Sequence, residues 1–258
     1  AAMQRGIPVI CQKPFCTSLG EAEALAADIA KAGATVIVHE NFRFQPWHLE
    51  LKRLIDSGRV GEVYQVSFRL RPGDGQGPDA YLSRQPYFQK MPRFLVHETA
   101  IHLIDVFRYF LGEVTQVTAE LRQLNPVISG EDAGIIIFDF EDGRRALFDG
   151  NRLSDHVAEN RRLTIGEMLI EGAQGTLSLN GDGEIQFRKH GENVWQPHDY
   201  GWENAGFAGD SVYRLQAHVL DHLATGAPVQ NTAADYLTNL QIEDAVYRSS
   251  DQGRRIVL

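Results

Sequence analysis

The first forty residues contain two apolar runs separated by a helical pattern, the order expected for a strand, a helix and a second strand. The run Pro8–Cys11 predicts a short buried strand. Ser18 and Glu21 form a capping box for a helix over Leu19–Ala32. Thr35–Val38 is β-branched throughout, as in parallel strands buried on both faces. The pattern predicts a piece of a parallel α/β layer, which two strands cannot bury without further partners.

From residue 45 onward the pattern becomes that of a larger unit. Pro46 begins a short helix that ends at Gly58. Apolar and polar residues then alternate from Val63 to Leu70, as in an antiparallel sheet with one buried face. Leu95–Leu111 is a helix that is apolar on almost every side. Further strands are predicted near 114–121, 133–140, 145–151, 162–171, 176–179, 184–188 and 255–258, and helices over 207–225 and 233–250.

These two patterns predict two domains and an α/β (α+β) fold. Residues 1–44 form the partial parallel layer, and residues 45–258 form an α/β domain with a large, mostly antiparallel sheet. The final helix and strand are placed so that they can pack back on the parallel layer.

Composition and charge narrow the possible partners. The chain has 25 Lys and Arg against 34 Asp and Glu, a net charge of −9, which disfavours nucleic acid and acidic membrane surfaces. It contains no apolar run near the roughly 20 residues that cross a bilayer and no signal-peptide pattern, so a cytoplasmic location is the default expectation. Two cysteines are too few for a disulfide framework or a four-ligand zinc site, and we assign them no chemistry.

The apolar helix carries one polar stripe. Glu98, His102 and Asp105 are spaced by four and then three residues, which places them on one face at 3.6 residues per turn. For Asp105 a structural role beside Arg108 is the favoured interpretation. For Glu98 and His102 we favour function, because a carboxylate one turn before an imidazole can fix its tautomer and prepare it to exchange protons.

Two features that resemble known motifs are rejected on spacing. His97 and His102 lie five residues apart, which turns them to different faces of a helix, so we expect no metal site. The segment PGDGQGP, from Pro72 to Pro78, has glycines at the wrong spacing for phosphate binding and follows an alternating strand. We interpret it as a flexible loop, and such long loops often line sites.

Polar residues also follow both strands of the parallel layer. Lys13 comes directly after the first strand, and HENFRFQP places Asn41 and Arg43 after the second. Open α/β sheets bind ligands outside the carboxyl ends of their strands. A lysine there can donate to a developing alkoxide, or accept a proton if burial favours its neutral form.

Taken together, these segments resemble the glucose-fructose oxidoreductase, inositol dehydrogenase and rhizopine-catabolism (Gfo/Idh/MocA) family. The resemblance rests on the order of VICQKPF, HENFRFQP, GRVGEV (58–63), the helix LVHETAIHLIDVFRYFLG (95–112) and the closing stretch 215–258, and it spans the whole chain. It implies an NAD(P)-dependent oxidoreductase acting on a sugar, inositol or related polyol. The implied fold is a Rossmann domain, here its C-terminal remnant, followed by a substrate and oligomerisation domain whose open sheet face forms a homodimer or homotetramer.

The resemblance also implies roles for single residues. Lys13 matches the catalytic lysine and His102 the helix histidine that exchanges a proton with substrate, while Glu98 stands where an aspartate is more usual. Gln12 replaces the usual glutamate before the lysine, which could alter catalysis or cofactor contacts. The cofactor-binding residues implied are Gln12, Lys13, Pro14 and Asn41, and the substrate-binding residues are Arg43, Arg93, His97 and Trp202.

The glycine-rich phosphate loop of such enzymes has no equivalent in these 258 residues, which open with Ala1 rather than methionine. We therefore expect an N-terminally incomplete chain that alone binds NAD or NADP poorly and is inactive. Micromolar NAD binding in a calorimetric titration would contradict this expectation. Two alternatives remain at this stage: a non-catalytic sensor or repressor that keeps the fold, and a cofactor-independent sugar-binding or isomerase-like domain.

Overall fold

The parallel layer forms as its sequence predicts. In the computed structural model, which describes residues 1–258, strand β1 (Val9–Gln12) pairs in parallel with β2 (Val36–His39). Helix α1 (Leu19–Ala32) connects them. The Ser18 hydroxyl accepts a hydrogen bond from the Glu21 amide at 3.3 Å, which caps the first turn.

The second unit begins with helix α2 (Pro46–Asp56) and strand β3 (Val63–Leu70). A π-helical turn (Leu95–Ala100) then runs directly into helix α3 (Ile101–Leu111). The remaining elements are β4 (Val114–Arg122), β5 (Ala133–Phe140), β6 (Arg145–Asn151), β7 (Gly166–Gly172), β8 (Gly175–Leu179), β9 (Ile185–Lys189), β10 (Gln196–His198), α4 (Ser211–Thr225), α5 (Ala233–Gln252) and β11 (Ile256–Val257). No helix combines the length and the apolar character that crossing a membrane requires.

Nine strands form one large sheet in the order β10-β9-β8-β7-β3-β6-β5-β4-β11. The pair β3 and β6 is parallel, with Val66 beside Ala146, and all the other pairs are antiparallel. Val66, Phe68 and Leu70 point into the core, as their alternation predicts. The predicted fold class, a small parallel layer with a large, mostly antiparallel sheet, is confirmed.

A continuous hydrophobic core joins the two layers. It runs from Val36 and Val38 of the parallel layer through α3 and α5 to the inner face of the large sheet. Helix α5 contacts both α1 and β4, and β11 adds to the sheet beside β4. The end of the chain therefore packs against the parallel layer as well as the sheet, and the ends of β1 and β2 come close to the start of α3.

The structure differs from the predicted elements where local turns override the pattern. Strand β7 begins at Gly166, four residues later than predicted, because Asn160 closes a turn through a hydrogen bond from the Leu163 amide. Ile165 has a positive φ of 58°, which ends the turn and starts the strand. Strand β10 was not predicted, and α4 begins at Ser211 rather than near residue 207. The later start of β7 leaves Arg162 in the turn rather than in the strand.

Candidate active site

A cavity of about 310 Å³ lies where the parallel layer meets the large sheet. Gln12 and Lys13 follow β1, and Asn41 follows β2, so the carboxyl ends of both strands form part of the wall. Glu98 and His102 enter from the π-helical turn and α3. The volume is at the lower end of the roughly 300–1,000 Å³ typical of small-molecule pockets. The cavity is therefore of a size to hold a small ligand.

Lys13 is held by the π-helical turn. Its ammonium donates to the Glu98 main-chain carbonyl at 2.8 Å and forms an ion pair with the Glu98 carboxylate at 3.0 Å. An ammonium has three donors, so one N–H of Lys13 is left for a ligand. Both side chains are largely buried, with 14% and 21% of their surface exposed. The pair fixes a positive charge at the cavity wall.

His102 is oriented by a buried carboxylate from the other layer. Its Nδ1 lies 2.7 Å from both carboxylate oxygens of Glu40, a residue with no exposed surface, and its ring stacks on Phe42 with centroids 4.0 Å apart. Nδ1 therefore carries the donated proton, which leaves Nε2 as the free acceptor. Burial raises the pKa of Glu40, but His102, the Phe42 amide and Lys13 together outweigh burial and lower the pKa below its ordinary value. A carboxylate with this pKa is ionised at neutral pH.

The helix that presents these groups is anchored at its start by Glu131. One carboxylate oxygen of this residue accepts from the Phe94 and Val96 amides at 3.1 and 3.0 Å, and from the Tyr247 hydroxyl at 2.6 Å. These are amides that a helix start leaves without partners. A Cβ on Gly150 of β6 would lie 2.9 Å from the Leu95 side chain, so the turn packs tightly on the sheet. The start of the helix is fixed from two sides.

Comparison with known proteins identifies the family. The family model described as the GFO/IDH/MocA C-terminal domain matches residues 48–178. A D-apiose dehydrogenase of Paraburkholderia graminis is 32% identical over the whole chain, which covers 68% of that protein. The chain belongs to the Gfo/Idh/MocA family of oxidoreductases. The predicted family and the predicted oxidoreductase class are thus confirmed.

Further members of the Gfo/Idh/MocA family support the assignment. A D-apiose dehydrogenase of Rhizobium rhizogenes is 31% identical over 97% of this chain and 72% of its own length. A solved oxidoreductase of Agrobacterium radiobacter, in complex with NAD⁺, L-tartaric acid and magnesium, superposes with a TM-score of 0.85 at 30% identity. That match covers 99% of this chain and 74% of the solved chain. The fold described above is therefore the fold of solved family members.

The predicted polar stripe of the Gfo/Idh/MocA helix is broken in the structure. The Ile101 amide donates to the Val96 carbonyl five residues back, so the turn is wider than an α-helical turn. Glu98 therefore turns towards Lys13, and the His102 ring donates its hydrogen bond to Glu40 instead. The prediction that Glu98 orients His102 is wrong, because it assumed 3.6 residues per turn throughout.

Arg43 and Asp105 form a buried pair away from the cavity. The guanidinium donates to both carboxylate oxygens at 2.7 and 2.6 Å, and Asn239 donates to the same carboxylate at 2.8 Å. Arg43 does not line the cavity, and the bidentate pair gives its guanidinium a structural role, so its predicted substrate contact stays a prediction. Asp105 has the predicted structural role, but its partner is Arg43, whereas Arg108 pairs with Glu113.

We expect Asp105→Ala to lower the free energy of unfolding by roughly 3–5 kcal/mol, because it leaves the Arg43 charge buried without a partner. Urea denaturation measures this loss. Asp56→Ala is the matched control, since it breaks the exposed pair of Asp56 with Lys52 on α2 and should cost at most about 1 kcal/mol. Equal losses in the two variants would contradict a structural role for the Arg43–Asp105 pair.

The other predicted substrate residues also lie outside this cavity. Arg93 stacks over the Tyr247 ring, 4.2 Å from its centroid, and lines a second cavity together with His97. The ring of His97 pairs with Glu243 at 2.8 Å. Trp202 packs edge-on against Trp47, with centroids 5.5 Å apart. Arg93, His97 and Trp202 do not line the cavity that contains Lys13 and His102, and their part in substrate binding stays a prediction.

Three of the four predicted cofactor-binding residues line the cavity, and the fourth does not. Gln12, Lys13 and Asn41 line the cavity, whereas Pro14, joined to Lys13 by a cis peptide bond, does not. The Asn41 amide donates to the Ser211 hydroxyl at 2.7 Å, which fixes its carboxamide at the end of β2. The Gln12 side-chain oxygen accepts from the Lys13 amide at 2.9 Å.

Several residues of the candidate site, in the cavity wall or directly behind it, were missed by sequence reasoning. Glu40 lies inside the HENFRFQP segment, so its position after a buried strand was a usable signal. Asp74, from the PGDGQGP loop, binds Arg152 at 2.9 Å, and both line the cavity. That loop was predicted to line a site, but no local pattern pairs Asp74 with Arg152, which lies 78 positions later, just after β6. Arg84 and Arg162 of two irregular segments complete the group.

Proposed function

We propose that this chain carries the active centre of a dehydrogenase that transfers hydride between the nicotinamide of NAD or NADP and a carbinol carbon of a sugar, inositol or related polyol. The observation that carries the proposal is the placement of Lys13 and His102 on the wall of one cavity, each fixed by its own carboxylate. Family membership and the NAD⁺-bound neighbour of Agrobacterium radiobacter support it. The D-apiose dehydrogenases and inositol 2-dehydrogenases among the relatives support the substrate class.

The residues at the strand ends fit a nicotinamide. Gln12, Lys13 and Asn41 offer carboxamide and ammonium groups on the wall formed by β1 and β2, where ligands of open α/β sheets bind. The Gln12 amino group has no partner in the protein and is free to donate to a carboxamide ligand. A bound nicotinamide would exchange the hydride with the substrate carbon. These three residues would hold its ring beside the cavity.

Protein side chains would handle the proton. The substrate hydroxyl would donate to Nε2 of His102, while the free N–H of Lys13 donates to the same oxygen and stabilises negative charge as it develops. Glu40 would stabilise the imidazolium that forms when His102 takes the proton. Glu98 holds Lys13 in place through two contacts. In the reverse reaction His102 would return the proton to the carbonyl oxygen.

The experiment is a turnover assay of the full-length protein with NAD⁺ and NADP⁺ against aldoses, inositols and linear polyols. We expect reduced cofactor to form, and to form more slowly when the carbinol carbon carries deuterium, because that bond breaks during hydride transfer. Ligand binding without turnover across the panel would favour a sensor or repressor on the same fold and contradict the proposal.

We also propose that residues 1–44 belong to the dinucleotide-binding part and that residues 45–258 bind substrate and associate with further copies. Ile135 and Leu169 stand exposed on the outward face of the large sheet, the face without covering helices, and support association there. Light scattering should find a dimer or tetramer that Ile135→Glu weakens. A monomer at micromolar concentration would contradict this assembly.

A further inference from the structure

Three arginines line the cavity. Arg84 comes from the segment between β3 and α3, Arg152 follows β6, and Arg162 lies in the turn before β7. Arg152 is buried and fully engaged: it binds Asp74 at 2.9 Å, the Tyr81 hydroxyl at 2.8 Å and the Thr99 hydroxyl at 2.7 Å. The side chains of Arg84 and Arg162 form no ion pair and no hydrogen bond within the protein, so their donors are available.

Neither carboxylate of the cavity lining forms an ion pair with these two guanidinium groups. Asp74 is bound to Arg152, and Glu98 is bound to Lys13. The cavity lining contains Lys13 and three arginines but only two carboxylates, an excess of two positive charges. The whole chain, by contrast, has a net charge of −9. Guanidinium groups cannot lose this charge near neutral pH. A local positive excess in an acidic protein attracts anions to this cavity.

The charges of Arg84 and Arg162 also act on each other. Partial burial, followed by the charge of Arg162, lowers the pKa of Arg84; the Asp74 carboxylate opposes this, and the charge of Arg152 adds to it. Like charges held close together repel, and a bound anion relieves that repulsion. Arginine recognises carboxylates through paired N–H donors, which adds directionality to the attraction.

We propose that Arg84 and Arg162 bind a carboxylate of the substrate while Lys13 and His102 hold its reacting hydroxyl, so that the enzyme acts on polyhydroxy acids in preference to neutral polyols. The inference rests on the proposed dehydrogenase function and narrows its substrate class. In this proposal the irregular segments that carry Arg84 and Arg162 recognise the substrate, whereas Lys13 at the end of β1 and His102 on α3 take part in the reaction.

The test compares two ligands that differ in their carboxylates. L-Tartrate and L-threitol share a four-carbon chain and the same central hydroxyls, but tartrate has carboxylates where threitol has hydroxymethyl groups. Calorimetric titration of the full-length protein with NAD⁺ present should show L-tartrate binding at least about tenfold more tightly than L-threitol. Arg84→Gln and Arg162→Gln should each reduce this preference by roughly three- to tenfold.

Arg161→Gln is the matched control, because Arg161 is adjacent in sequence, exposed and paired with Asp155 at 3.0 Å, outside the cavity lining. It should leave the preference for L-tartrate unchanged. Equal affinity for the two ligands, or an unchanged preference in both cavity variants, overturns the proposal. Weaker NAD⁺ binding in these variants with an unchanged preference for tartrate also overturns it, because the arginines would then serve the cofactor phosphates.

A parallel turnover assay separates this inference from the proposed function. Oxidation of neutral polyols without any preference for acids would leave the dehydrogenase function standing and remove the carboxylate site. An arginine-dependent preference for tartrate without oxidation of any sugar or sugar acid would leave the anion site standing and remove the dehydrogenase function.

Discussion

Lys13→Met in the full-length protein is expected to lower kcat/KM by at least about 10²- to 10⁴-fold, the usual contribution of a positioned acid–base group. Methionine keeps the length and apolar part of the side chain but removes the ammonium. The substrate oxygen then loses the one N–H of Lys13 that Glu98 leaves free. Steady-state kinetics at saturating cofactor measure the loss.

Lys31→Met is the matched control, since Lys31 lies exposed on the last turn of α1 and does not line the cavity that contains His102. It should turn over at the wild-type rate. Lys13→Arg should recover part of the activity if positive charge alone matters, and little if the compact ammonium is needed. Near-normal kcat/KM in Lys13→Met would remove Lys13 from the active centre.

Local patterns were sufficient to predict most of the elements but only part of the candidate site. The capping box at Ser18 and the alternation on β3 depend on neighbours within a few residues, so both appear in the sequence as they do in the structure. The wide turn before α3 has no such local signal. It depends on Glu131 binding the Phe94 and Val96 amides from more than thirty residues away. A prediction based on 3.6 residues per turn therefore misplaced Glu98.

Because sequence reasoning detects only local signals, it found only those site residues that have a local signal. Lys13 and His102 were predicted because each has a local reason, a strand end in one case and an apolar helix in the other. Pairing His102 with Glu40 requires the parallel layer to dock against α3, which no periodicity describes. Arg43 and Trp202 were predicted to bind substrate, whereas in the structure Arg43 pairs with Asp105 and Trp202 packs against Trp47, contacts that no local pattern describes.

Glu40→Gln is expected to lower kcat by about 10²-fold while KM changes far less, because Glu40 acts on substrate only through His102. The carboxylate accepts from Nδ1 through both oxygens at 2.7 Å. A carboxamide keeps the size and an acceptor but removes the charge that stabilises the imidazolium. Glu40→Asp keeps the charge on a shorter side chain and should recover part of kcat.

The same substitution should change how stability depends on pH. Burial raises the pKa of Glu40, but His102, the Phe42 amide and Lys13 outweigh it and lower the pKa in the folded protein. Such a carboxyl stabilises the fold fully above its unfolded pKa, and this contribution is lost as the pH falls through the folded value. Urea denaturation between about pH 6 and pH 3 should therefore show a steeper loss for the wild type than for Glu40→Gln.

Glu243→Gln is the control for both measurements of Glu40. Glu243 is also buried and also binds the Nδ1 of a histidine, His97, at 2.8 Å, but this pair lies outside the cavity that contains His102. The variant loses the same kind of ion pair and should keep its kcat. Equal losses of kcat in the two variants would mean that Glu40→Gln lowers kcat only by destabilising the protein. A wild-type kcat in Glu40→Gln would show that His102 needs no carboxylate partner.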